Sequence, residues 1–311
     1  MSLFPEQFLQ RLDAIIPAED GKDVLASLSP KEQWSVRINL LKAAKSTVLD
    51  ILRKNQIPFQ EHPVFDEVLT VSAQERQRLL QSDLIKEGKV YFQNLSSIAA
   101  VKILDPKPGE AVLDLCAAPG SKTSLIAAMM NSQGRIVAIE PVPSRFYKLK
   151  SVLGILGVIN VECKRFDGRR YRPKDLLFDK VLVDAPCSSE GRFDTNDPET
   201  FAYWSLRKIK EMQKKQKGLL LRGCQLLKPG GTLVYSTCTF APEENEGVID
   251  WVLRKMDGAV HPEHIQITGA PVYPALKEWK NKKYNSLVSA CARIRPDRLW
   301  DAFFIAKLQR L

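Results

Sequence analysis

The chain has 311 residues, 44% hydrophobic and 26% charged, which supports one large or two moderate globular domains. Its 46 Lys and Arg against 36 Asp and Glu give a net charge of +10 and a pI near 9.3, favouring polyanionic partners at long range, although a merely solvated basic surface accounts for the charge as well. No apolar run approaches the about 18 residues of a membrane span, and six cysteines without a Cys-x-x-Cys pair exclude zinc spacing, so we expect free thiols, no metal and a reducing, cytoplasmic setting.

From Leu3 to about Gly88 the sequence suggests a small α+β module. "RINLLK" reads as extended, "KSTVLDILRKNQ" carries apolar residues at helical spacing, and "SAQERQRLLQSD" opens on Ser72 as a helix cap. From "KVYFQNL" onward strands alternate with amphipathic helices: "EAVLDLCAA", "SKTSLIAAMMN", "GRIVAIEP", "SRFYKLKSVLGILG" and "NVECKRFDG". The same rhythm continues through "DKVLVDAP", the basic helix "SLRKIKEMQKKQKGLLLRGCQLL", the turn "KPGG", the strand "TLVYSTC" and the helix "PEENEGVIDWVLRKM". "SLVSACARIRP" and "AFFIAKLQRL" then read as two strands closing an edge. That alternation predicts βαβ units and a doubly wound parallel sheet over 89–311, preceded by the module at 1–88.

Ligands in such folds sit at the carboxyl ends of the strands, and the first strand ends in "DLCAAPGSKT". This is neither the dinucleotide fingerprint nor a Walker loop, so a nucleoside cofactor without a pyrophosphate fits better. Glu140 stands at the next strand end, 26 positions after Asp114, where a carboxylate can accept from both ribose hydroxyls; Asp167 follows at the third, where it can meet the base. One such acid alone is usually a cap or a turn residue. Three at successive strand ends favour a ligand. Two further strands end in cysteine, "VDAPCSSEG" at Cys187 and "TLVYSTCTF" at Cys238.

"LDLCAAPGSKT", "VDAPCSSEG", "LLKPGGTLVYSTCTFAPEENE" and "SVRINLLK" resemble the Nop2/Sun (Fmu/RsmB-like) family of RNA cytosine-5 methyltransferases, which use S-adenosylmethionine; the resemblance runs from about Arg37 to Leu308. It implies a Rossmann-like methyltransferase fold and transfer of a methyl group to carbon 5 of a cytosine in tRNA or rRNA. Carbon 5 is a poor nucleophile, so a thiolate must first add to carbon 6. The resemblance implies that Cys238 attacks, that Cys187 assists release of the product, and that Asp184 holds the cytosine edge. DNA cytosine methyltransferases use the Pro-Cys thiol instead, and without the Thr-Cys motif Cys187 would be the attacking residue. For the cofactor it implies Cys116, Ala117, Ala118, Pro119, Gly120 and Lys122 at the methionine end, with Asp184 nearby, Glu140 at the ribose, Arg145 in support and Asp167 at the adenine. Two departures stand out: Ser121 where the family has glycine, and Glu140 where it has aspartate.

Cys116, Cys163, Cys224 and Cys291 read as core residues, "PEENE" as acids in a helix's first turn, Asn245 as structural, and Phe303 and Phe304 as edge-strand core. For RNA contact the candidates are Lys164, Arg165, Arg169, Arg170 and Arg172 in "KRFDGRRYRPK", the helix run 207–217, and "KEWKNKKYN" with Arg293, Arg295 and Arg298. For 207–217 a solvated helix face is an equal alternative. Arg37 and Asn39 belong to the part that faces RNA in the family. We expect a monomer. A protein of this fold with a purely structural role in RNA assembly is the alternative.

Overall fold

The structure, a computed structural model, describes residues 4–174 and 176–311. Its first part contains α1 (Glu6–Ile15), α2 (Gly21–Ser27), β1 (Gln33–Ile38), α3 (Lys45–Lys54), β2 (Gln60–Glu61), β3 (Val68–Ser72), α4 (Ala73–Gln81), α5 (Asp83–Lys86) and β4 (Val90–Phe92). Ser72 caps α4 as its sequence indicates, its hydroxyl accepting from the Glu75 N–H at 3.2 Å. The four strands form an antiparallel sheet in the order β2-β3-β1-β4. Val36, Ile38, Leu69 and Val90 fill its core with Leu49 and Leu52 of α3.

"VYF", read from the sequence as the start of the second domain, thus belongs to the first sheet. Arg37 pairs with Tyr91 and Ile38 with Val90. This bonding uses the free edge of β1, so the sheet ends near Phe92 rather than residue 88. The opening helices do not pack on this sheet: Phe4 and Phe8 lie against Phe193, Phe201 and Phe240 of the larger part.

The larger part runs through α6 (Leu95–Leu104), β5 (Ala111–Asp114), α7 (Ser121–Met129), β6 (Arg135–Ile139), α8 (Pro143–Ile155), β7 (Val161–Lys164), β8 (Phe178–Asp184), α9 (Leu206–Leu226), β9 (Leu227–Thr237), α10 (Glu246–Met256), β10 (Val260–Glu263), β11 (Val272–Pro274), β12 (Glu278–Trp279), β13 (Lys282–Lys283), β14 (Ala292–Ile294) and β15 (Phe303–Arg310). Its main sheet has the order β11-β14-β15-β9-β8-β5-β6-β7, with β10 also on β15. The run β9-β8-β5-β6-β7 is parallel, and β15 joins β9 antiparallel. Strands such as "RIVAI" and "KVLVD" have continuous apolar centres flanked by charged residues because both faces are covered. On one side α6, α7 and α8 supply Ile98, Leu125 and Leu149; on the other α9 and α10 supply Leu220 and Ile249. This is a Rossmann-like doubly wound α/β fold.

Five local expectations need correcting. "RINLLK" is extended only through Ile38, with a turn at 40–42, and "SLVSACARIRP" forms a short 3-10 helix over Ser286–Ala290 before the brief strand β14. Phe303 and Phe304 are buried but not on an edge, since β15 lies between β14 and β9. "KPGG" does not interrupt β9, which passes through it with Gly230 at φ +75°. Helix α10 starts at Glu246, so Glu243 and Glu244 lie before its first turn. Among the described residues no helix is long and apolar enough to cross a membrane.

Candidate active site

The strand order reverses between β5 and β8, and a cleft of about 840 Å³ opens at their carboxyl ends, as the switch point of a doubly wound sheet dictates. Cys116 to Pro119, Lys122, Glu140, Arg145, Asp167, Asp184, Cys187 and Cys238 all line it. Gly120 is the one predicted cofactor residue that does not. Its φ of +111° is a conformation L side chains rarely adopt, and a Cβ there would press on Leu149 at 3.2 Å and Val152 at 3.3 Å of α8. The glycine therefore serves the turn and the α7–α8 contact. Ser121, which departs from the family pattern, lines the cleft at the first position of α7.

Asp114 is buried and accepts from Thr123 Oγ1 at 2.8 Å and from the Cys116 N–H at 3.3 Å. Burial pushes its carboxyl up to about 6. Glu140 Oε1 accepts from the Val142 N–H at 3.0 Å while Oε2 lies 3.4 Å from Arg145 Nη1, and Arg145 also donates to Ala118 O at 3.1 Å. Arg145 thus ties the ends of β5 and β6 together. Asp167 accepts from the Arg169 backbone at 3.0 Å and from its guanidinium at 2.6 Å, which holds the carboxyl below its ordinary range.

Lys122 reaches from α7 to Asp184 Oδ2 at 2.7 Å and Ser97 Oγ at 2.9 Å, with its ammonium 5.5 Å from the centre of the Phe303 ring. Ser236 donates to the other Asp184 oxygen at 2.8 Å. Asp184 is therefore fixed in place and still partly open to the cleft. Beside it, Cys187 and Cys238 bring their sulfurs to 3.3 Å. Cys238 is held below the ordinary thiol range first by the hydrogen bond from Cys187 and then by the positive charge of Arg192. The same hydrogen bond, with burial, raises Cys187. Of the two sulfurs, Cys238 is the one whose thiolate the surroundings favour.

Arg37 and Asn39 are both 0% exposed, which corrects their expected contact with RNA. Arg37 donates from Nε to Gln93 Oε1 at 2.7 Å and from Nη2 to Ser124 Oγ of α7 at 2.8 Å. Asn39 donates to Gly88 O at 2.8 Å and Leu156 O at 2.9 Å. They lock the first sheet onto the larger part. In the basic segment, Arg165, Arg170 and Arg172 are exposed, Lys164 pairs with Glu162, and Arg169 lines the cleft.

Arg192, Lys208, Met212 and Lys215 also line the cleft without having been singled out individually. Arg192 was legible as the end of "SSEGR". Lys208 and Lys215 lay inside the run 207–217, and only the placement of α9 shows which side of that run faces the site. Asn245 is structural as expected, accepting from Thr237 Oγ1 at 2.5 Å and donating to Thr239 O at 2.9 Å, on both sides of Cys238.

The family model described as 16S rRNA methyltransferase RsmB/F matches residues 101–309. The chain belongs to this family, which falls within the Nop2/Sun group. Among its relatives, the tRNA (cytosine(49)-C(5))-methyltransferase of Pyrococcus abyssi is 35% identical over 94% of this chain and 93% of that protein. The ribosomal RNA small subunit methyltransferase F of Vibrio vulnificus is 37% identical over 78% of this chain, which spans about half, 52%, of that relative. A solved methyltransferase homolog from Pyrococcus horikoshii superposes with a TM-score of 0.84 at 32% identity, covering 99% of this chain and 96% of that one.

Family members use S-adenosylmethionine, and the cleft suits it. The molecule carries a ribose diol, an amino group and a sulfonium, all of which call for acceptors or negative charge. Asp114, Glu140 and Asp167 present carboxyl groups around one cleft. Its carboxylate calls for donors, which the amino end of α7 and its backbone N–H groups offer.

Proposed function

We propose that this protein methylates carbon 5 of a cytosine in RNA, with Cys238 as the nucleophile and Cys187 as its release partner. The observation that carries the reading is the thiol pair, 3.3 Å apart beside Asp184 in the cleft that suits the cofactor. Bound S-adenosylmethionine supplies an electrophilic methyl group. The Cys238 thiolate adds to carbon 6 and pushes an electron pair toward carbon 5, which takes the methyl group. Asp184 accepts from the cytosine amino group, and the Lys122 ammonium behind it offsets the charge that develops on the ring.

Loss of the carbon 5 proton then re-forms the double bond and expels the Cys238 thiolate. While Cys238 is bonded to carbon it no longer accepts the hydrogen bond that raises Cys187. The Cys187 thiol then becomes easier to deprotonate, and once it has given its proton to water its thiolate can take the carbon 5 proton. Reaching Cys238 requires the target base to leave its stack, at a cost of a few kcal/mol. We place tRNA first as substrate because the relative matched along nearly its whole length acts on tRNA. The cytoplasm is the compartment we propose, and the monomer the working state.

The test is transfer of labelled methyl to tRNA and to rRNA by the intact protein, Cys238→Ala and Cys187→Ala, with adducts resolved on a denaturing gel. We expect 5-methylcytosine from the intact protein, none from Cys238→Ala, and a trapped protein–RNA adduct with Cys187→Ala. Methylation by Cys238→Ala would overturn the assignment of the nucleophile.

A further inference from the structure

Each cysteine loop carries a buried carboxyl group that the transfer chemistry does not use. Glu190, three residues after Cys187, is 1% exposed, and Glu244, six after Cys238, is 0% exposed. Neither makes an ion pair among the described residues, and burial raises both acids, Glu244 to about 8. An acid in such a place costs stability that a smaller or apolar side chain would not. A cap at the start of α10 does not explain Glu244, because the helix begins two residues later.

Each acid has hydrogen-bond partners on the opposite loop. Glu190 Oε2 accepts from Thr239 Oγ1 at 2.8 Å and from the Phe240 N–H at 3.1 Å, while Oε1 takes Trp204 Nε1 at 2.8 Å. Glu244 Oε2 accepts from the Ser188 N–H at 3.0 Å and from Gln216 Nε2 of α9 at 2.7 Å. That Gln216 amide also donates to Pro186 O at 2.9 Å. Ser188 Oγ and Thr239 Oγ1 share a hydrogen bond of 2.7 Å between the two acids, and the Gly191 N–H donates to Cys238 O at 3.0 Å. A Cβ at Gly191 would meet Ala302 O at 2.7 Å and Cys238 O at 3.2 Å, so only glycine permits that approach.

We propose that Glu190 and Glu244 are positioning residues forming a reciprocal brace, in which the acid of each cysteine loop grips the backbone of the other and so sets the separation of the two sulfurs. This deepens the two-cysteine reading and rests on it. A sulfur–sulfur hydrogen bond is weak and depends on distance and direction. Loosening either loop removes the donation that keeps the thiolate on Cys238. Around that sulfur stand Cys187, Ser189 and Arg192 of one loop and Asp184 at the end of β8.

The test is the pH profile of Cys238 alkylation by iodoacetamide, read peptide by peptide in the full chain for the intact protein, Glu190→Gln and Glu244→Gln. The expected result is an upward shift of the midpoint by about one unit in both variants, or about tenfold slower alkylation near neutral pH, with unchanged affinity for S-adenosylmethionine. An unchanged midpoint with lowered melting temperature would reduce both acids to stabilising residues and overturn the proposal. Should the Gln variants fail to fold, Thr239→Val removes the hydroxyl shared by the two halves, which also accepts from the Ala241 N–H at 3.2 Å; a shift in the same direction supports the brace, and none overturns it. Because alkylation needs no RNA, it decides the brace even if the transfer assay assigns the nucleophile elsewhere.

Discussion

Arg192 is the positive charge that acts on Cys238, and it does so from an exposed position on the cleft wall. Water screens an exposed charge, so its share of the thiolate stabilisation is smaller than that of the buried Cys187 hydrogen bond. The sign is fixed. Cys238 lies below the ordinary thiol range, so its thiolate persists above the lowered value and is lost as the pH falls through it. Arg192→Met should move that loss to higher pH, slowing methyl transfer near neutral pH by up to about tenfold, a change of about one pKa unit, while leaving the rate at alkaline pH nearly intact. A pH–rate profile of the variant checks this; a uniform loss at every pH would mean that Arg192 binds RNA rather than tuning sulfur. The sequence could not rank these two effects. "SSEGR" shows an arginine near a cysteine, but its distance from Cys238 depends on the Gly191 contact with a strand end 47 residues away.

At the scale of elements, the joint between the first sheet and the larger part rests on polar side chains. Arg37 crosses from β1 to α7, and burial lowers its guanidinium to about 10. Arg37→Met keeps the bulk of the stem but removes the bonds to Gln93 and Ser124, at about 1–3 kcal/mol for the buried groups left without partners. We expect a lower urea midpoint and an unchanged salt dependence of RNA binding. A direct phosphate contact would instead reduce the slope of log K against log salt by about one. The sequence marked "RINLLK" as extended, which holds for Arg37 and Ile38 at the end of β1 and not for the turn at 40–42; it did not show which way Arg37 faces, because that depends on β4 and α7 arriving on either side. The same limit explains "VYF": its apolar residues mark a strand, while its membership of the first sheet depends on pairing with β1, 54 positions earlier for Arg37 and Tyr91. The strand-end acids and both cysteines were legible because a parallel sheet brings its carboxyl ends together whatever its loops do. Glu244 was not, since acids beside a helix start look like favourable dipole partners.

At the scale of the whole molecule, a charge of +10 does not say which face meets RNA. The packing of α9 makes one side of that helix the candidate. Its apolar side, including Leu220 and Cys224, is buried on the sheet, and this turns Lys208, Met212 and Lys215 toward the cleft that Arg169 and Arg192 also line. Lys210 and Lys214 remain on the exposed side. RNA threaded toward Cys238 would therefore run along one side of α9, with phosphates on the two lysines. Replacing Lys208 and Lys215 together by Gln should reduce the salt slope of tRNA binding by about 1.4–1.8, from about 0.7–0.9 per phosphate released, and raise KM with little change in kcat. Lys210→Gln with Lys214→Gln makes the same change in charge on the outer side and should alter neither by more than about the long-range attraction of two screened charges. Equal losses from both pairs would mean that the basic surface attracts RNA only diffusely; a loss confined to the cleft-facing pair would fix the direction from which the substrate enters.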